Sequence, residues 1–219
     1  MSRNKYPEET RQLILDVSTR LFLTKGYEKT SLQDIINELG GLTKGAIYHH
    51  FKSKEDILIS VLENMTLGNQ KHMLEIVNDE GLNGKQKLEK MFSNSMKNPM
   101  QEDVFSVTPN LLDNPTFLSY YIKMITKEVV PKYVVPIVTE GVEDGSIQAE
   151  YPEELADALL FMCDVWMNPL IFEMSDEALV RRAVTLNTLF RPFGIELFDE
   201  DMIRALQKYR KISADKGDK

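Results

Sequence analysis

The sequence predicts an all-α fold on three observations. Apolar residues recur at three- and four-residue steps along most of the chain. No stretch alternates apolar and polar residues as a half-buried strand would. Glycine, proline and asparagine interrupt the pattern at helix-length intervals, at Gly26, Gly40-Gly41, Glu80 to Gly84, Asn98-Pro99, Asn114-Pro115 and Gly145. These breaks divide the chain into three short helices over residues 1–52, a helical bundle over 53–212 and a mobile polar tail over 213–219.

Pro7 opens the first helix, with Glu8 and Glu9 near its positive end. Leu13, Val17 and Leu21 form its apolar stripe, widened by Ile14 and Phe22, and Gly26 stops it. Tyr27 is expected to tuck back onto the small core. The second helix starts at Thr30 or Ser31, since both Thr30 with Gln33 and Ser31 with Asp34 have capping-box spacing. Leu32, Ile35, Ile36 and Leu39 give it one apolar face. Gly40 ends it, because glycine enters the left-handed region cheaply. Thr43 caps a third helix, Lys44 to about Phe51, whose inward residues are Ala46, Ile47 and Phe51.

Ser53 caps a fourth helix, with Asp56 three residues on. Its apolar face runs from Ile57 to Val77, so a rod of about 25 residues and about 37 Å is expected, with Gly68 as a candidate bend. Leu88, Met91, Phe92 and Met96 mark a fifth helix, and a shorter one is expected over Gln101 to Leu112. Asn114-Pro115 supplies cap and first turn for a helix carrying Phe117, Tyr121, Ile125 and Val130, in which Pro131 and Pro136 predict kinks. A helix over 152–174, bent at Pro169, has apolar residues nearly all round. Another, over 176–193, carries Leu179, Ala183, Leu186, Leu189 and Phe190. Asp199 caps a last helix to about Lys211.

Between Leu39 and Lys54 there are three lysines, two histidines and no acid. Two short helices across a tight glycine turn, the second with a basic polar side, are the pattern of a helix-turn-helix. There the second helix enters the major groove of DNA. Thr43, Lys44 and His49 are candidates for base edges or nearby phosphates. Tyr48, Lys52 and Lys54 are candidate phosphate contacts, with Thr30, Ser31 and Gln33 approaching from the first helix of the motif. Gly45 and Ala46 lack bulk and permit close approach, and a small apolar residue there suits a thymine methyl. Arg3 and Lys5, in an acid-free arm over Met1 to Tyr6, either touch the DNA backbone or serve no contact.

The words KGYEKTSLQDI (25–35) and LTKGAIYHHFKSKEDIL (42–58) resemble the DNA-binding domain of the TetR/AcrR family of transcriptional regulators. The likeness covers roughly residues 6–65, so the family-type head extends to about 65. Gly40-Gly41-Leu42 is one residue longer than the family's usual turn, and Ile36 stands where the family usually has a small residue. The resemblance implies an N-terminal three-helix DNA-binding domain and a C-terminal helical dimerisation and ligand-binding domain. It implies a double-stranded operator as partner, a repressor released by a small apolar or amphipathic effector, and a homodimer formed through helices 152–174 and 176–193. Candidate walls for an effector pocket are Phe92, Met96, Phe117, Tyr120, Tyr121, Met124, Met162 and Trp166, with Trp166 favoured because its N–H wants a partner. The alternative is a helical module whose head binds a protein.

Composition agrees with a regulator more than a generic polyanion binder. Net charge is −8, yet residues 1–60 hold nine Lys+Arg against eight Asp+Glu, while the remainder holds 17 against 26. The single cysteine, Cys163, sits in an apolar run and reads as an inert buried thiol of a reducing cytoplasm. MSRNKYPEE lacks the apolar run of a signal peptide, and no segment approaches the ~20 apolar residues of a membrane span. No glycine-rich phosphate loop, CxxC pair or HExxH motif is present, so neither catalysis nor a cofactor is expected. His72 and Glu75 have a spacing that suits a metal, and suits an ordinary surface pair better.

Overall fold

The computed structural model describes residues 7–98 and 100–217, and all regular structure among them is helical. The arm over Met1 to Tyr6 lies outside the described residues. α1 spans Pro7–Lys25, α2 Leu32–Glu38, α3 Lys44–His50 and α4 Lys54–Val77. The first three helices and the start of α4 share one core, in which Ile14, Leu15, Phe22, Ile35, Ile47, Phe51, Ile57, Leu58 and Val61 are each at most 2% exposed. Burying each such side chain is worth about 1.5–3 kcal/mol. The stripe of α1 is rotated from expectation: Ile14, Leu15, Ser18, Leu21 and Phe22 face inward, while Leu13 is 48% exposed. Residues 14, 18 and 22 fall four apart on one face, and Leu13 lies a step of about 100° beside it.

α4 is unbroken through Gly68. Its 24 residues give a rod of about 36 Å. Its N-terminal half is packed into the head, and Ile76 near its far end is buried in the body. Beyond it come α5 (Gly84–Lys97), α6 (Met100–Val107), α7 (Pro115–Met124), α8 (Val135–Glu143), α9 (Pro152–Phe161), α10 (Asp176–Phe190) and α11 (Glu200–Gly217).

Proline placement sets several helix ends differently from expectation. α6 stops at Val107, not Leu112. Thr108 precedes Pro109, which disfavours the helical conformation there, and the Thr108 hydroxyl bonds back to Val104 O at 2.6 Å. Pro131 does not break its helix. Residues Ile125–Val134 instead widen into π-helical turns joining α7 to α8, and Val135 N–H reaches Val130 O, five residues back. Pro136 follows directly, at the start of α8, where the wider π-helical turns before it pass into the α-helix. After α9, a short π-helical stretch, Met162–Trp166, runs to a stop before Pro169. Residues 168–174 are therefore turn, not a bent extension of the helix. α11 continues to Gly217, past the expected end near Lys211, and residues 218–219 lie outside the described set.

The body is locked where α4, α5 and α8 meet. Lys87 is 3% exposed. Its Nζ donates to both carboxylate oxygens of Glu140, at 2.6 and 2.7 Å, and to Val77 O at 3.0 Å. One buried cation thus satisfies the C-terminal end of α4 and ties it to α8. Gly84 begins α5 against α8 so closely that a Cβ there would lie 2.2 Å from Gly141 N. Gly84→Ala is accordingly expected to destabilise the protein by about 1–3 kcal/mol through overpacking. Thermal or urea denaturation checks this, and an unchanged midpoint would show that the α5–α8 contact is slack.

Candidate nucleic-acid interface

A seven-residue helix cannot hold itself in water, so α2 and α3 depend on caps and on what they pack against. Ser31, not Thr30, caps α2: Asp34 N–H donates to Ser31 Oγ at 3.1 Å, and Ser31 N–H donates to the Asp34 carboxylate at 2.7 Å. Lys25 pairs with Asp34 at 2.7 Å and Arg20 with Glu38 at 2.6 Å, so α1 holds α2 at both ends. Lys25 and the Ser31 backbone N–H hold the Asp34 carboxyl well below the usual carboxylate range. Gly40, at φ +58°, turns the chain away from α2, and Gly41 and Leu42 lead to Thr43. Thr43 caps α3 by accepting from Ala46 N–H at 3.2 Å.

Ile47 and Phe51 then anchor α3 from beneath. Arg11 of α1 lies 5.3 Å over the Phe51 ring and donates to Ser60 of α4 at 3.2 Å, pinning the C-terminal end of α3 between two neighbours. The sequence reading did not single out Arg11, whose role is visible only once α1 and α4 are side by side. The outward side of α3 carries Lys44, Gly45, Tyr48 and His49, with Thr43 and Lys52 exposed beside it and Ala46 half-buried. The Lys44 ammonium lies 5.8 Å over the Tyr48 ring, one turn along the helix. Tyr48 is 46% exposed, more than a packing aromatic would be. Burial, then His49, lowers the His50 pKa, so His50 stays neutral beside the exposed His49.

Two candidates turn inward. Thr30 is 1% exposed, and its hydroxyl donates to Gly26 O at 2.8 Å, closing the turn after α1. Lys54 Nζ donates to Tyr27 O at 3.0 Å and lies 4.1 Å over the Tyr27 ring. Its charge therefore serves the joint between α1 and α4. Ser31 and Gln33 remain exposed, with Gln33 bonded to Asn37 at 2.9 Å. Among the described residues, no group of three or more His, Cys, Asp or Glu side chains could hold a metal, and His72 and Glu75 form an exposed pair at 3.0 Å.

A family model described as bacterial regulatory proteins of the tetR family matches residues 14–61, the stretch from α1 into α4. The head is thus similar to the DNA-binding domain of the tetR family of regulators. The HTH-type transcriptional regulator AcrR of Shigella flexneri is 50% identical over 56 residues, 26% of each chain. An uncharacterised HTH-type transcriptional regulator of Bacillus subtilis, YerO, is 28% identical over 173 residues, 75% of this chain and 57% of that one. The HTH-type transcriptional repressor AcnR of Corynebacterium glutamicum is 25% identical over 158 residues, 70% of this chain and 77% of AcnR. The matches thus span about a quarter and just over half the length of AcrR and YerO. A solved TetR/AcrR-family regulator from Thermobifida fusca has the same fold, at TM-score 0.55 and 22% identity, over 82% of this chain and 97% of that one.

In the body, the candidate pocket walls are distributed through the helical core. Phe92 and Phe117 are buried, and Met96, Met124 and Met162 pack half-buried against the core. Tyr120 stacks on Phe117 at 5.8 Å and donates to Glu63 at 3.1 Å. It borders an open cleft of about 510 Å³ together with Ile59, Pro115, Thr116, Ser119 and Lys123. The Trp166 ring is covered by the Arg182 guanidinium at 4.9 Å, which also donates to Trp166 O. Tyr121 donates to the Asp164 carboxylate at 2.9 Å and accepts from Asn168 Nδ2 at 3.0 Å. No helix among the described residues is long and apolar enough to cross a membrane.

Burial pushes the Asp164 carboxyl up to about 6, against a partial opposing effect of the Tyr121 hydroxyl. The protonated form is therefore the one the fold favours. Its stabilising contribution is complete below the ordinary carboxylate pKa of about 4 and is lost as pH rises through about 6. Asp164→Asn should accordingly gain stability relative to the wild type as pH is raised. Melting curves of both at about pH 5 and about pH 8 check this, with a larger gap at the higher pH expected. A gap independent of pH would mean the carboxyl titrates as if in water.

Proposed function

We propose that this protein is a DNA-binding transcriptional regulator, acting as a cytoplasmic homodimer that represses from a palindromic operator. The observation that carries this reading is the outward face of α3. Lys44, Gly45, Tyr48 and His49, flanked by Thr43 and Lys52, stand exposed and free of acid on a helix anchored from beneath. Cations and hydroxyls at such a face meet phosphate oxygens, and Gly45 lets the helix backbone approach base edges. The acidic excess lies in the body, so attraction to the duplex is confined to the head.

Two heads are needed to read two half-sites about 34 Å apart. α9 and α10 offer a surface for pairing: Phe161, Val184 and Leu189 are 46%, 57% and 50% exposed. These are large apolar side chains on the two helices expected to form the interface. An effector that binds better to the dimer with wrongly spaced heads would release DNA by differential affinity alone. Support for repression comes from the likeness to the repressor AcnR, and the effector class, a small apolar or amphipathic molecule, follows from the apolar, methionine-rich body.

The test is selection of bound fragments from genomic DNA, followed by titration of the selected site by fluorescence anisotropy. A palindromic site is expected, with affinity falling linearly in log–log against salt. Lys52→Ala should weaken all sequences alike and reduce the salt slope by about 1. Lys44→Ala should cost about 1–3 kcal/mol and relax preference at one base pair. Salt-independent binding, or an unaltered Lys44→Ala, would point the head toward a protein partner instead. Leu189→Asp is expected to convert the dimer to monomer in light scattering and to lower operator affinity. A dimer that survives this change would place the interface elsewhere.

A further inference from the structure

The head and body meet at an open cleft of about 700 Å³ that none of the foregoing uses. One wall is the side of α1 bearing Gln12, Asp16, Thr19, Arg20, Leu23 and Thr24, residues spaced three, four and eight apart. The other walls are the middle of α4 and the start of α6. The apolar floor is Leu23, Met65, Leu67 and Met100, of which Leu23, Leu67 and Met100 are 40%, 57% and 40% exposed. We propose that this cleft binds a small amphipathic cation, whose apolar part covers Leu23, Met65, Leu67 and Met100 and whose charge is met by Asp16.

Size and charge select that occupant. A stable protein partner buries about 800 Å² of each surface, whereas clefts for small molecules hold about 300–1,000 Å³. Two charged side chains line the cleft. Arg20 is already neutralised by Glu38 at 2.6 Å. The Asp16 carboxylate is bonded to a neutral amide, Gln12 Nε2, at 2.8 Å, which leaves its charge for a ligand. The position also gives binding a consequence. α6 is fixed to the body from behind, by Lys208 with Glu102 at 2.5 Å and by Phe105 stacked on Tyr209 at 4.7 Å. A ligand touching α1, α4 and α6 together therefore fastens the head to the body and restrains the angle at which the head is presented. This site is separate from any effector pocket inside the body.

The test uses tetraphenylphosphonium as probe, titrated calorimetrically into the full chain without DNA. Saturable binding with a dissociation constant below about 1 mM is expected. Asp16→Asn should weaken it about fivefold, as for a partly exposed charge pair. Leu67→Arg, a change at an exposed position, should weaken it more than tenfold by placing a like charge on the floor. Tetraphenylborate, of the same shape and opposite charge, should bind at least fivefold more weakly than the phosphonium. Circular dichroism confirms that both variants remain folded. Absence of saturable binding, binding that neither variant changes, or equal binding of the borate each overturns the proposal. Because no DNA enters the measurement, such a result leaves the regulator reading intact, and a failure of operator binding leaves this site intact.

Discussion

Everything in the head depends on burying Ile47 and Phe51. α3 is two turns long, and its own hydrogen bonds do not repay the entropy of ordering it. Its position is therefore whatever position buries those two side chains in the core that also holds Ile35 of α2 and Ile57 and Val61 of α4. Once they are seated, the helix's opposite side has no choice but to face solvent. The polar residues there are held in a fixed array on a rigid support, and a reader of base edges needs that preorganisation.

Electrostatics in the head is divided between scaffolding and display. Arg11, Arg20, Lys25 and Lys54 all belong to the head, yet each is occupied within the fold by a ring, a carboxylate, a hydroxyl or a carbonyl. Lys44 and Lys52 are exposed at the face itself. A basic residue's proximity to a recognition helix thus says little of its use. What distinguishes Lys54 from Lys52 is the Ser53 cap between them: Lys54 opens α4 and turns its ammonium to Tyr27, whereas Lys52 lies in the turn before the cap and stays exposed.

The sequence makes legible whatever is fixed by local chemistry. Caps at Thr43 and Ser53, the stop at Gly40, the start at Pro7 and the apolar period of α4 are all readable because neighbours a few residues apart decide them. Proline positions were readable as disturbances, but their outcome was not. Pro131 is absorbed by π-helical turns inside a continuous helix, whereas Pro169 lies beyond a helix already ended, and which occurs depends on the packing around each. The rotation of the α1 stripe was hidden because Leu13 and Leu15 are equally apolar, and only the position of α4 chooses between them. Thr30 and Lys54 were misplaced for a related reason. Both are polar residues of the kind that contact phosphate, and their inward partners, Gly26 O and Tyr27 O, lie on a turn whose path no pattern specifies.

α4 is buried near its two ends and largely bare between them: Leu67 is 57% exposed, and Glu63, Asn64, Gly68 and Gln70 are also at the surface. The buried interior, continuous from head to body, is therefore thin along that waist, where Met65 of α4 packs against it. Head and body are in this sense interchangeable parts on a common axle. A chimaera joined at the waist would have to preserve both the helical phase that sets one half's heading relative to the other and the packing of α1 on α6.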